Sequence, residues 1–450
     1  MADKAFSVLY IPVGAPTFHQ QSAKAAFDGS ASLLRSLCGN VTLPEGVLLS
    51  VEALGAFLAE LPEPDLIVFQ STTFANAAYV SEVLRRFQTA PLLLWALREP
   101  VIDGGRLRLN SLTGAYSAAN TIRQLRQEPF TFVYGAPEEE PVRKTVSACL
   151  RAARLKTALR RLTLAQLGHT PQGFGFGRAL DTEMLRVFGV KLEAYEVREL
   201  TNRAKGYADS DIEEYLRDAA ERMTGLSETP EKNRLDFARL YRAYDEFVRE
   251  KGVGALASRC WPDLFTDFGT PVCAVLGILN DLGVASSCEA DACGALSMYM
   301  GQQLTGSPAF FGDPVSLDEK ENTLTFWHCG TAACSLARED TGACVGVHCN
   351  RKIGPTLEFG CRASAGATVF RIGRKSDGSF RFLIEAGEIL DRPKQFFGTS
   401  LVFKANRNAE ALVRETVRDG WEPHYAVLFG DVSGELSILA DMLNIPVYPS

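Results

Sequence analysis

Val284-Ala285-Ser286-Ser287-Cys288-Glu289-Ala290-Asp291-Ala292-Cys293-Gly294 is a strand that runs into a helix with almost nothing between them. Residues 284–287 read as the strand. Small residues from 290 onward read as a helix, and Glu289 stands at the junction. This strand–helix unit belongs to an open α/β sheet, where ligands bind outside the carboxyl ends of the strands. A carboxylate at that junction meets the positive end of the helix dipole, which favours its ionised form. Alone, such a residue is more often a plain helix-start acid than part of a site.

Upstream, the same alternation sets in from the first residues. Strands are expected at 6–13, 66–69, 92–96 and 130–134, and helices at 20–37, 76–87, 115–125 and 141–159. The apolar runs are continuous, as in strands buried on both faces, and the βα rhythm predicts a parallel, doubly wound sheet. Gly168-His169-Thr170-Pro171-Gln172-Gly173-Phe174-Gly175-Phe176-Gly177 interrupts it. This run lacks the Lys-Ser/Thr of a phosphate loop and the spacing of a dinucleotide fingerprint. It is read as a boundary or an active-site loop. Residues 178–305 resume the pattern, with charged helices at 209–223 and 231–250, a strand at 255–260 and a helix at 270–282. Beyond Phe310 the texture changes to short strands at 323–328, 367–372, 380–386 and 400–403. A helix at 410–419, a strand at 425–429 and a helix at 434–443 close the chain. The fold class is therefore α/β, with two doubly wound parallel-sheet domains followed by a smaller β-rich C-terminal domain. The expected divisions are 1–163, 164–308 carrying Glu289, and 309–450 carrying Asp313 and His424.

Bulk composition narrows the function. The 450 residues are 46% hydrophobic and 22% charged, a globular balance, and they exceed what one core holds. The net charge is −7, with no basic patch to neutralise a phosphate backbone, so nucleic acid is excluded as a partner. No stretch approaches the roughly 20 apolar residues of a membrane span. The apolar start, residues 6–13, is too short for a signal segment and contains Pro12. A cytoplasmic protein without membrane contact is expected. Of 11 cysteines none forms a Cys-x-x-Cys pair, so they read as reduced, buried small hydrophobes rather than a thiolate zinc site.

Three further residues stand out. Asp313, in Ala309-Phe310-Phe311-Gly312-Asp313-Pro314, reads as the end of an apolar strand. His424 immediately precedes a buried strand, and His328 closes another in Phe326-Trp327-His328-Cys329-Gly330. Each has a bland reading as a turn acid or a core histidine. Together with Glu289 they offer two carboxylates and one or two imidazoles, a set that suits Mn2+, Co2+ or Mg2+. His348-Cys349-Asn350-Arg351-Lys352 is a polar, basic stretch that reads as a solvated turn.

Arg259-Cys260-Trp261-Pro262, Thr270-Pro271-Val272-Cys273, Leu279-Asn280-Asp281-Leu282-Gly283, Cys288-Glu289-Ala290-Asp291 and Gly294-Ala295-Leu296-Ser297-Met298-Tyr299 resemble the core signature of the L-fucose isomerase family, related to the L-arabinose isomerases. The resemblance is strong over 259–330 and 420–435 and loose over 1–180. It implies a metal-dependent aldose–ketose isomerase acting on an open-chain sugar through an ene-diol. By position, Glu289, Asp313 and His424 would hold the divalent metal, Mn2+ first with Co2+ or Mg2+ as alternatives. Glu289 and Asp313 would also be the acid–base pair. His328 stands where arabinose isomerases have an additional ligand, so a fourth ligand and a substrate contact both stay open. Arg259, Trp261 and His19 are candidate sugar contacts, and a homo-oligomer, trimer or hexamer, is implied. The substrate is open between a neutral sugar and an anionic one such as sulfoquinovose. Two readings of other classes compete: a non-catalytic sugar-binding protein, and a metal-dependent hydrolase or aldolase using the same ligands.

Overall fold

The computed structural model describes residues 6–126 and 128–448. Met1–Ala5, the opening of the stretch read for a leader segment, lies outside them. The chain divides into two compact units, one of Met1–Ala158 with Gly434–Ile445, the other of Leu159–Ser433 with Pro446–Ser450.

The first unit is a five-stranded, wholly parallel sheet. Its strands are β1 (Val8–Val13), β2 (Val41–Thr42), β3 (Leu66–Ser71), β4 (Leu92–Ala96) and β5 (Thr131–Tyr134), in the order 2-1-3-4-5. That is a doubly wound order, with the switch point between β1 and β3. Strands β1, β3 and β4 are buried throughout, which is why they read as unbroken apolar runs rather than alternations. Helices α1 (Gln20–Leu37), α2 (Val51–Leu58), α3 (Ala77–Arg86), α4 (Ser111–Leu125) and α5 (Glu140–Leu159) alternate with them. The side chains of His19, Ser50 and Asn76 cap α1, α2 and α3.

The second unit begins with a four-stranded parallel sheet: β6 (Thr163–Leu167), β7 (Lys191–Tyr195), β8 (Val253–Ser258) and β9 (Ala285–Cys288), in the order 7-6-8-9. Helices α6 (Asp181–Phe188), α7 (Val197–Lys205), α8 (Glu213–Arg222), α9 (Glu231–Lys251), α10 (Cys273–Asp281) and α11 (Ala292–Thr305) accompany it. The expected helix at 209–223 is shorter. A 3-10 turn at Asp209–Asp211 precedes α8, because the Asp211 carboxylate accepts from the Ala208 N–H and closes a separate turn.

The rest of the unit is β-rich. Strands β10 (Phe310–Asp318), β11 (Thr323–His328), β12 (Cys344–Gly346), β13 (Thr356–Gly360), β14 (Ser364–Arg374), β15 (Phe380–Leu390), β16 (Thr399–Ala405), β17 (Tyr425–Leu428) and β18 (Val447–Tyr448) form one sheet. Its order is 12-13-16-11-10-17-14-15-18, and a further pairing of β15 with β16 closes six strands into an antiparallel barrel. Closure removes the exposed edges of those strands. Helix α12 (Ala409–Arg418) lies between β16 and β17, and α13 (Ser433–Leu443) follows β17. Two α/β sheets and a β-rich C-terminal part are the fold class expected from the sequence. Among the described residues, no helix is long and apolar enough to cross a membrane.

Helix α11 joins the parallel sheet of this unit to the barrel. It touches β8 and β9 on one side and β14 and β17 on the other. Small residues make this possible: a Cβ on Gly294 would lie 2.5 Å from the Phe311 ring, and one on Gly301 would overlap Leu428. Gly301→Val should therefore destabilise the second unit by about 1–3 kcal/mol, the usual range for overpacking a filled core. Urea unfolding followed by tryptophan fluorescence checks this, and an unchanged midpoint would refute the close approach.

Candidate active site

Glu289 and Ala290 link β9 to α11 in the left-handed region, at φ +59 and +55. Such values are uncommon for side chains larger than glycine and need outside support. Here Ala290 N–H donates to Ser258 O at 3.1 Å and Asp291 N–H to Cys288 O at 3.2 Å. Glu289 thus stands at the strand–helix junction but outside the first turn of the helix, which begins at Ala292. Asp291 is the N-cap, accepting from Gly294 N–H at 2.8 Å, and Glu289 is turned out of the helix.

Asp313 also differs from expectation. It does not end its strand, because β10 continues through Asp313 and Pro314 to Asp318, with a register shift between Pro314 and Ser316. The proline is tolerated because β17 pairs only with Phe310–Gly312, leaving no hydrogen-bonding partner on that side of Pro314. Asp313 lies opposite Trp327 on β11, one residue before His328.

The structure brings Glu289, Asp313, His328 and His424 together. Glu289 Oε2 is 3.0 Å from His424 Nε2, and Asp313 Oδ1 is 3.6 Å from the same nitrogen. Ligand atoms of Glu289, His328 and His424 lie within 4.8 Å of one another. The Phe311 ring packs on both imidazoles, at 5.4 Å from His328 and 4.8 Å from His424. The other Glu289 oxygen accepts from Trp261 Nε1–H at 2.8 Å. The glycine-rich run supplies a wall, with Phe176 edge-on to His424 at 5.1 Å and Phe174 edge-on to Trp261 at 5.7 Å. Arg259 is turned to Asp263, at 3.0 Å, and to the Trp261 carbonyl. His19, in the first unit, caps α1 with its Nδ1 accepting from Ser22 N–H.

Behind His424 lies a buried charged group that the sequence reading did not find. Asp291 Oδ2 accepts from His424 Nδ1 at 2.9 Å, and Arg371 on β14 donates to both Asp291 oxygens at 2.6 and 3.2 Å. The side chains of Arg371 and Asp291 are 0% and 1% exposed. With its proton fixed on Nδ1, the His424 imidazole presents Nε2 to Glu289 and Asp313. A signal was available: an arginine inside the apolar run Ala367-Thr368-Val369-Phe370-Arg371-Ile372 demands a buried anion.

The electrostatics fit a cation. Burial opposes ionisation of Glu289, yet the His424 hydrogen bond and the fields of His328 and His424 hold its carboxyl below the ordinary value. Burial, reinforced by the charge of Glu289, pushes Asp313 up despite the two histidines. Burial opposes charging of His424, but Asp291 and Glu289 raise its pKa. Two carboxylates crowded on one imidazole nitrogen, sheltered by phenylalanines, form a donor set that matches a hard divalent ion.

Residues 326–449 match the model of the L-fucose isomerase C-terminal domain. Over its full length the chain is similar to sulfoquinovose isomerases. That of Clostridium sp. (strain MSTE9) is 59% identical over 440 residues, covering 98% of each chain. Those of Priestia aryabhattai and Alkalicoccus urumqiensis are each 36% identical, over 442 and 453 residues, again covering 98% of each chain.

The chain belongs to the sulfoquinovose isomerase family. It is an aldose–ketose isomerase of the L-fucose isomerase type. In this family member the described residues gather groups able to hold a metal, as its kinship with the L-fucose isomerases leads one to expect. The cysteines are arranged more closely than their spacing suggested. Among the described residues no disulfide forms, but Cys273 Sγ lies 3.9 Å from Cys260 and 4.0 Å from Cys329. Cys273 and Cys329 also approach His348.

Proposed function

We propose that this chain interconverts sulfoquinovose, a sulfonated aldohexose, and its ketose at a divalent cation, Mn2+ before Co2+ or Mg2+, held by Glu289, Asp313 and His424. The observation that carries this reading is the convergence of both carboxylates on His424 Nε2, with Asp291 fixing the far side of the ring. The choice of sugar rests on the names of the full-length relatives. When bound, the ion supplies Lewis-acid polarisation of the sugar carbonyl and its neighbouring hydroxyl.

The protein's own groups do the rest. Glu289, held ionised and oriented by the Trp261 N–H, removes the proton from C2 of the open-chain aldose. The C–H electron pair becomes the C1–C2 double bond of an ene-diolate as the carbonyl oxygen takes up the proton of the C2 hydroxyl. Asp313 is the partner that relays a proton from Glu289 to C1 as the C2 oxygen becomes the carbonyl, giving the ketose and leaving both carboxylates as they began. Asp291 keeps the His424 ring from turning, and Phe174, Phe176 and Phe311 shield the set from bulk water. His328 is assigned as a fourth ligand or a sugar contact, and the indole of Trp261 as an apolar wall. A cytoplasmic homo-oligomer, trimer or hexamer, completes the reading.

Incubating the purified chain with sulfoquinovose, L-fucose or L-arabinose in deuterated water, followed by proton NMR, tests it. The sulfonated sugar should give its ketose with deuterium at C1 or C2 and no change in carbon count. Cleavage products would favour an aldolase or hydrolase, and tight chelator-independent binding without an isomer would favour a sugar-binding protein. Turnover confined to L-fucose or L-arabinose would keep the chemistry and overturn the substrate.

A further inference from the structure

A sulfonate stays ionised at every physiological pH, so an enzyme that selects it needs a cation free to meet it. Most arginines around the candidate site already have a carboxylate. Arg371 is bound to Asp291, Arg259 to Asp263 and Arg374 to Glu183. Arg351 differs. Among the described residues no ion pair is found for it, and its guanidinium lies over two aromatic rings, 5.1 Å from Trp261 and 5.5 Å from Phe265.

The same Trp261 indole donates its N–H to Glu289. Arg351 and Glu289 therefore meet one indole, the guanidinium over its face and the carboxylate at its edge. The turn that carries Arg351 is built rather than loose. His348 is buried, and its N–H donates to Ile353 O at 3.1 Å. Lys352 N–H returns to His348 O at 2.8 Å, and the His348 ring packs edge-on against Phe265 at 5.1 Å.

We infer that Arg351 is the specificity residue of this enzyme: stacked on Trp261 and Phe265, it receives the sulfonate at C6 while C1 and C2 lie at Glu289. The inference rests on the sulfonated-hexose reading above. A guanidinium offers a planar pair of N–H donors that matches two oxygens of a tetrahedral oxyanion, which a lysine ammonium does not reproduce. Stacking holds that plane and leaves its N–H edge for the anion. The basic stretch at 348–352, read from sequence as a solvated turn, thereby gains a role.

The test compares wild type, Arg351→Met, Arg351→Lys and Arg178→Met on sulfoquinovose and on 6-deoxyglucose, the same hexose without the sulfonate. Arg178 is the internal rival: no carboxylate pairs with it among the described residues, and its Nε–H donates to Thr170. In Arg351→Met the ratio of kcat/KM for the sulfonated over the neutral sugar should fall about 10- to 100-fold, as for loss of charged hydrogen bonds. Most of the change should lie in KM, with Arg351→Lys recovering only part. Competitive inhibition by methanesulfonate should weaken in parallel.

An unchanged ratio, an equal loss on both sugars, or discrimination that follows Arg178 would each overturn the assignment. Wild type that ignores sulfoquinovose but isomerises neutral sugars would overturn the substrate reading as well. That result is visible before any variant is made, so the two failures are distinguishable.

Discussion

Glu289→Gln should abolish isomerisation while leaving the chain folded. The amide keeps the size of the side chain and can still accept from Trp261 Nε1–H, so the left-handed turn at 289–290 has no reason to collapse. What disappears is a negative charge next to His424 Nε2 and a base for the C2 proton. Removing general acid–base help alone typically costs roughly 10²–10⁴-fold in rate. Weakened cation binding adds to that loss, because the amide oxygen is a poorer partner for a divalent ion. Steady-state turnover, metal content and circular dichroism measured on one preparation separate the effects. Wild-type circular dichroism with at least a hundredfold loss of kcat is expected. Turnover within a few-fold of wild type, with metal bound, would remove Glu289 from the chemistry.

Arg371→Met should give the largest loss of stability of any single change around the site. It leaves the Asp291 carboxylate 1% exposed without its guanidinium. Removing one member of a buried ion pair typically costs about 3–5 kcal/mol, and here the remaining carboxylate keeps only His424 and the Gly294 N–H, with no water to replace the guanidinium. The pairing with Arg371 helps hold the Asp291 carboxyl well below its ordinary range, although burial pulls the other way. Adding Asp291→Asn to Arg371→Met should restore part of the loss, since the asparagine is neutral and can still cap α11. Asp291→Asn alone should destabilise by leaving Arg371 unpaired. A double-mutant cycle in urea measures that coupling, and additive effects would contradict a direct buried pair.

Much of this was legible in the sequence, and the rest was hidden for identifiable reasons. Residues 92–96 and 323–328 were read with the bounds that β4 and β11 have, because apolar composition and flanking turns act locally. The strand β7 (Lys191–Tyr195) escaped notice. It is an edge strand, half-exposed, and its Lys-Leu-Glu-Ala-Tyr carries no apolar run. Closure of the barrel through β15 and β16 depends on pairing between strands, which no single segment encodes. Within the site, Glu289, Asp313 and His424 were named from local context and family likeness, and the structure gathers them. Asp291 was quoted as part of a signature, but its role depends on Arg371, 80 residues away. The unusual turn at Glu289 and Ala290 is equally invisible, because alanine carries no sequence signal for a left-handed backbone.

Isomerisation is expected to depend on one divalent ion held by Glu289, Asp313 and His424. Metal analysis of the purified chain, before and after exhaustive chelation, with turnover of sulfoquinovose followed through re-addition of Mn2+, tests it most directly. One ion per chain, loss of turnover on chelation and recovery at one equivalent of Mn2+ are expected, with His424→Ala neither retaining the ion nor recovering. Full turnover by a chain stripped of metal would show that these three residues hold no ion the reaction needs.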